Sequence, residues 1–323
     1  MRHAMPARNQ SGYYSGMSAA HSPHNRYRGR FAPSPTGPLH FGSLVAAVGS
    51  FLDAKSNGGE WLLRMEDVDA PRTAPGAADS ILRTLERCGL CWDGEVVFQS
   101  RRASLYRAAF ERLSIGGEVF ACACSRREMA DSALGPDGAR RYPGTCREGP
   151  APGRDARAWR LKVEPEEICF DDALQGRICQ DVAAEVGDFV VLRADGLFAY
   201  QLAVVVDDAE QGVTHVVRGA DLADSTPRQI CLQRRLGLPQ PAYLHLPAAI
   251  DAQGEKLSKQ TRARPLDDAR PQAALVAALT FLGQPPPAEL GEADPESLWH
   301  WAVEHWDRSR LPRCRTAPAP AEY

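Results

Sequence analysis

The stretch from Tyr27 to Asp67 constrains the fold most. Tyr27-Arg28-Gly29-Arg30-Phe31-Ala32-Pro33-Ser34-Pro35-Thr36-Gly37 starts as a strand and ends in turn formers. Leu44 to Leu52 then alternate small and apolar residues at helical spacing, and Trp61-Leu62-Leu63-Arg64-Met65-Glu66-Asp67 reads as a second strand. Strand, helix and strand in so short a span require two parallel strands bridged by a crossover helix, the opening unit of a doubly wound α/β sheet. Helical patterns follow at Ala77 to Cys88 and over 104–113. The composition is irregular from Gly116 to about Pro165, which marks an insertion. Strand character returns at Asp188 to Leu192, Phe198 to Val205 and Val213 to Arg218, and a helix is expected over Pro227 to Leu236. Beyond the loop Gly254 to Arg264, helices at Pro271 to Leu282 and Pro295 to Trp306 flank a proline-rich break at Gln284 to Pro287.

With 323 residues, 44% hydrophobic and 24% charged, the chain can bury a substantial core. No run of about 18 apolar residues is present, so no membrane partner is expected and the cytoplasm is the default location. The first 27 residues, rich in Ser, His, Arg and Gly, have no apolar stretch of the secretory kind; they are read as a disordered tail or a mis-set start and left out of the fold. A net charge of −3 gives no bulk attraction to a polyanion, so any nucleic-acid contact must come from a local basic surface. Nine cysteines without an export signal argue against a disulfide framework and for reduced thiols or metal ligands. Cys88, Cys91, Cys169, Cys179, Cys231 and Cys314 are expected to be plain core residues.

Two loops carry phosphate chemistry. In Pro33-Ser34-Pro35-Thr36-Gly37-Pro38-Leu39-His40-Phe41-Gly42-Ser43 a proline-stiffened loop delivers His40 and Gly42 to a helix start. There the missing Cβ, the helix dipole and an imidazole N–H all suit a phosphoryl group. Taken alone the segment is more readily a turn with a structural His. Far downstream, Gly254-Glu255-Lys256-Leu257-Ser258-Lys259-Gln260 places two lysines where they could neutralise pyrophosphate, or simply lie in solvent.

His40-Phe41-Gly42-Ser43 and Lys256-Leu257-Ser258-Lys259-Gln260 resemble the two signature motifs of the glutamyl and glutaminyl branch of class I aminoacyl-tRNA synthetases. Arg64-Met65-Glu66-Asp67-Val68-Asp69, Tyr200-Gln201-Leu202-Ala203 and Arg218-Gly219-Ala220-Asp221-Leu222 match between them, in order. The resemblance implies a Rossmann-type core: residues 28–115 and 186–264 as the two halves of a nucleotide-binding catalytic domain, 116–185 as an insertion, and 265–323 as a short helical region without an anticodon-binding domain. It implies ATP held by His40, Gly42, Ser43, Lys256 and Lys259, with His40 and Lys259 as the catalytic pair and Mg²⁺ as companion. Catalysis is then mainly positioning and charge neutralisation, as an amino-acid carboxylate displaces pyrophosphate from the α-phosphorus. A substrate with two carboxylates and one ammonium needs cations and an anion. By resemblance Arg30 and Arg218 face the carboxylates of L-glutamate, Glu66 faces the ammonium, Ser34 and Tyr200 add hydrogen bonds, and Phe31, Ala32 and Pro33 complete the binding loop. Each of these charges alone is as readily an ordinary salt bridge.

Cys122, Cys124 and Cys146 gather three thiols in the insertion, a spacing that by itself fits metal or reduced core cysteines equally. The resemblance implies one structural Zn²⁺ held by Cys122, Cys124, Tyr142 and Cys146. Because only residues 261–323 follow Gln260, the chain is expected to resemble the truncated branch that attaches glutamate to the queuosine base of tRNA(Asp). Arg101, Arg102, Arg126, Arg127, Arg140 and Arg141 could then track phosphates, or be solvated surface. No obligate protein partner is evident. The other readings are a fragment of an ordinary glutamyl-tRNA synthetase, an adenylating nucleotidyltransferase that needs no tRNA, and a silent RNA-binding paralogue.

Overall fold

A computed structural model describes residues 26–135, 138–257, 264–267, 269–292 and 294–323. Strand β1 (Arg28–Phe31), helix α1 (Phe41–Ser56) and strand β2 (Glu60–Met65) form the expected unit, β1 and β2 being parallel with Arg30 opposite Leu62. Helix α2 (Ala77–Arg87) leads to β3 (Val97–Phe98), which pairs parallel with β2, and then to α3 (Ala103–Ile115). The next segment holds β4 (Val119–Cys122), β5 (Ala158–Leu161), β6 (Glu167–Asp172), β7 (Gly176–Asp181), the short α4 (Val182–Glu185) and β8 (Val190–Leu192). Then come α5 (Tyr200–Glu210), β9 (His215–Gly219), α6 (Thr226–Leu236), β10 (Ala242–Leu246), β11 (Ala248–Ile250), α7 (Pro271–Phe281), α8 (Pro295–Glu304) and β12 (Thr316–Pro318). Among the described residues no helix is long and apolar enough to cross a membrane.

The chain has an α/β fold built on parallel strands. β9, β10 and β6 run parallel, with β7 antiparallel at the edge. β9 begins beside β1, where the Thr214 N–H donates to the Arg28 carbonyl at 2.9 Å. Two parallel strands that start together end together, so the C-terminal ends of β1, β2 and β9 share one edge, where open α/β sheets bind their ligands. Helix α1 lies behind that edge with Leu44, Val48, Phe51 and Leu52 in the core. β4, β5 and β8 form a separate antiparallel sheet.

Several expectations need correction. Phe198 to Val205 is not a strand; from Tyr200 the chain is helix α5, because Leu202 to Val205 are buried together with Asp207 and Asp208. Burial around most of a helix erases the amphipathic period, and the run of valines then mimics a strand. Within the stretch from Gly116 to about Pro165 only β4 and β5 are strands among the described residues, and β6, which follows it but still lies within 116–185, extends the sheet of β9 and β10. Cys169 and Cys179 are not core thiols but a cross-strand disulfide between β6 and β7; of the other four, only Cys88 and Cys231 are buried. Tyr27, the last of the 27 residues expected to lie outside the fold, is buried, and its hydroxyl donates to Asp53.

The C-terminal region is fastened to α1. Asp53, fully buried on α1, accepts Arg308 Nε and Nη2 at 2.6 and 2.7 Å and Trp306 Nε1 at 3.1 Å, while Tyr323 stacks on Phe41.

Candidate active site

Arg30 is the penultimate residue of β1, Glu66 follows β2, Arg218 is the penultimate residue of β9, and Tyr200 opens α5. The sheet thus brings together four residues that the sequence places far apart. The Glu66 N–H donates to the Pro33 carbonyl at 2.9 Å, tying the loop that follows β1 to the end of β2. Burial pushes the Tyr200 hydroxyl above its ordinary range; neighbouring Glu66 adds to the rise, while Arg218 and Arg30 oppose it. The four groups therefore share one field. Phe31 is buried at the strand end, Ala32 and Pro33 are half-buried, and Ser34 is exposed.

Beneath them is a buried charge network that sequence reasoning missed. Asp208 accepts Arg30 Nε at 3.1 Å, Arg30 Nη2 at 3.4 Å and Arg64 Nη2 at 2.8 Å. Arg64 also reaches Glu66 at 3.4 Å and donates to Gln211 at 2.6 Å. Neighbouring Asp207 takes Arg102 Nε at 2.7 Å, with Gln99 Nε2 and the Tyr106 hydroxyl each at 2.8 Å. Burial alone would raise the Asp208 carboxyl, but Arg30 and Arg64 outweigh it and hold it below the usual carboxylate range. Glu66 goes the other way, its burial exceeding the pull of Arg64 and Arg30, so its carboxyl sits above the ordinary value. Arg102, read as part of a basic rim, is spent on Asp207.

Arg218 is 5% exposed, and its hydrogen-bond partners are uncharged. Nε donates to His245 Nε2 at 3.1 Å, and Nη2 donates to Thr226 Oγ1 at 2.9 Å and Gln229 Oε1 at 2.8 Å. Among the described residues Nη1 has no hydrogen-bond partner. A buried guanidinium nitrogen left in this state is costly unless it is meant for an anion brought from outside.

The segments expected to hold phosphate come together next to it. His40 precedes α1 with Nε2 3.0 Å from Ser43 Oγ. A Cβ at Gly42 would lie 3.4 Å from both the Leu257 carbonyl oxygen and the His40 ring. That close approach joins the two signature segments. Lys256 pairs with Asp221, three residues beyond Arg218. Ser258, Lys259 and Gln260 lie outside the described residues.

In the insertion, Cys122, Cys124 and Cys146 have their sulfurs within 4.8 Å of one another, Cys124 and Cys146 being 3.6 Å apart. The Tyr142 hydroxyl lies 3.5 Å from Cys122 Sγ and 3.9 Å from Cys124 Sγ. Thiolates about 2.3 Å from a tetrahedral ion stand roughly 3.8 Å apart, so the cluster fits Zn²⁺. The Arg160 guanidinium donates to Cys122 Sγ at 3.3 Å. Burial raises the Cys122 thiol, but the Tyr142 hydroxyl and Arg160 outweigh it and hold it below its ordinary value, favouring the ligating thiolate. Gly187, with φ of 76°, lies against Tyr142; a Cβ there would come within 2.5 Å of the Tyr142 carbonyl oxygen. The other arginines proposed as a rim are spread out: Arg101 stacks on Phe98 at 4.7 Å, whereas Arg126, Arg127, Arg140 and Arg141 are exposed around this cluster.

Residues 26–290 match the family model described as tRNA synthetases class I (E and Q), catalytic domain. The chain is 62% identical to a protein of Aromatoleum aromaticum named glutamyl-Q tRNA(Asp) synthetase, covering 92% of this chain and 94% of that one. It is 60% identical to a protein of the same name from Dechloromonas aromatica, covering 91% and 99%. Its fold is similar to that of a glutamate tRNA ligase from Elizabethkingia meningosepticum, with a TM-score of 0.74 at 24% identity, over 92% of this chain and 68% of that one.

Proposed function

The chain belongs to the class I tRNA synthetases of the E and Q type, and on that premise we propose that it activates L-glutamate with ATP and passes the glutamyl group to the queuosine base of tRNA(Asp). The observation that carries the reading is Arg218, a buried guanidinium with one nitrogen unpartnered, in the same field as Arg30, Glu66 and Tyr200. Two cations, a carboxylate and a hydroxyl match an acidic amino acid, whose carboxylates and ammonium need those charges. Arg218 and Arg30 take the carboxylates, Glu66 the ammonium, and Tyr200 and Ser34 hydrogen bonds.

His40 and the backbone at Gly42 and Ser43 cradle the ATP phosphates, and Lys256 and Lys259 neutralise the leaving end. A glutamate carboxylate oxygen forms a bond to the α-phosphorus as the bond to the bridging oxygen breaks and pyrophosphate departs. A nucleophile of the modified base then attacks the acyl carbon, and AMP leaves. Mg²⁺, when bound, neutralises phosphate oxygens. Transfer to queuosine rests on relatives of nearly the same length, which are 60–62% identical and carry that name. Cys122, Cys124, Tyr142 and Cys146 would hold Zn²⁺, whose role would be structural.

The experiment is capture of radioactive glutamate by tRNA(Asp) with and without queuosine. Label that depends on queuosine is expected. Label on the 3′ end of tRNA(Glu) would overturn the transfer step, and no glutamate-dependent exchange of pyrophosphate into ATP would overturn the activation step. Metal analysis should find about one zinc per chain; its absence removes the metal assignment.

A further inference from the structure

His245 and Asp172 belong to none of the motifs, yet both stand behind Arg218. His245, on β10, is fully buried, with Nδ1 2.6 Å from Asp172 Oδ2 and Nε2 accepting Arg218 Nε at 3.1 Å. Asp172 closes β6, and its Oδ1 accepts the N–H groups of Leu174 at 3.0 Å and Gln175 at 2.8 Å. Both carboxylate oxygens also take the His245 N–H, at 3.2 and 3.1 Å. The carboxylate is thus clamped by its own turn and by β10.

A guanidinium can only donate, so His245 Nε2 must be the bare nitrogen and Nδ1 must carry the proton. Asp172 enforces that tautomer, as a carboxylate behind a metal-bound or catalytic imidazole does. The imidazole stays neutral: burial lowers its proton affinity, and Asp172 does not restore it. The Phe170 and Tyr243 rings enclose it at 6.1 and 6.0 Å. Thr226 and Gln229 fix the Nη2 edge of Arg218. With Nε and Nη2 both committed, the plane of the guanidinium is set and only Nη1 remains to be offered.

The geometry points to Asp172 and His245 as positioning residues for amino-acid recognition, setting through a relay of two hydrogen bonds the plane in which Arg218 presents Nη1 to a substrate carboxylate. The inference rests on the reading above that Arg218 grips glutamate.

Asp172→Asn is the sharpest test. Its amide oxygen must face the three backbone N–H groups, so its NH₂ faces His245 Nδ1. The imidazole then carries its proton on Nε2, against the Arg218 donor. The assay is glutamate-dependent exchange of pyrophosphate into ATP, with KM measured for glutamate and for ATP, alongside thermal melting. We expect the glutamate KM of Asp172→Asn to rise on the order of tenfold with ATP KM unchanged, and no further rise when it is added to Arg218→Ala. His245→Gln, which keeps an acceptor, should be milder than His245→Leu, and this pair carries the test if the Asn variant does not fold. Unchanged glutamate KM, equal rises in both KM values, or additivity with Arg218→Ala would overturn the relay. If Arg218→Ala itself left glutamate KM unchanged, the failure would lie with the functional reading.

Discussion

Arg30 and Arg218 stand at the ends of neighbouring strands and are almost equally buried, at 3% and 5% exposure, yet their surroundings differ. Arg30 shares the Asp208 carboxylate with Arg64, and Glu66 adds a second negative charge to the group. Arg218 meets an imidazole, a hydroxyl, an amide and the Leu222 carbonyl, and the Tyr243 ring, 5.8 Å away, offers it a negative face. One guanidinium is already paired with a carboxylate of the protein; the other has no carboxylate among its hydrogen-bond partners. On the proposed reading both arginines take a substrate carboxylate, but Arg218 depends on it more, because a buried cation without a paired carboxylate costs stability that ligand binding recovers.

The largest expected effect tests that difference directly. Arg218→Ala should raise the glutamate KM on the order of 100-fold, about 3 kcal/mol, with little change in Tm; an unchanged KM would break the contrast. Asp208→Asn strands Arg30 and Arg64 together and should cost about 3 kcal/mol of stability by denaturant unfolding, with a smaller effect on glutamate KM than Arg218→Ala. Acid should separate the two regions more gently. His245 is held neutral in the fold, so the unfolded chain takes up a proton that the folded chain refuses. Its share of stability is whole above the ordinary histidine value of about 6.5 and is lost as pH falls through it. Asp208, with its carboxyl held down, gives stability that is whole above the ordinary aspartate value of about 3.9 and is lost only below it. Melting curves across this range should show His245→Gln flattening the upper decline and leaving the lower one.

The sequence made one side of this contrast visible and concealed the rest. Arg30, Glu66, Tyr200 and Arg218 stood in recognisable strings, and the parallel sheet explains why strings so far apart converge. Asp207 and Asp208 were hidden because Val204-Val205-Val206 imitates a strand, so the carboxylates just beyond were not placed under the site. His245 is one polar residue in an otherwise apolar strand, Ala242–Leu246, with no spacing signal. Glu167–Asp172 alternates exposed or partly exposed with buried positions, the period of a half-buried strand, but it lay in the stretch 116–185 taken as an insertion and so was not placed in the main sheet. The tautomer relay is a property of three strands in contact, which no local pattern encodes.

The approach of Gly42 to the Leu257 carbonyl has a bearing on biosynthesis. As the polypeptide leaves the ribosome, the loop before α1 is made early and must wait for most of the remaining chain before Leu257 arrives. Such distant closure makes assembly of this side of the proposed site a late and comparatively slow event. Until then helix α1 and the strands beside it lack the segment that completes the proposed site.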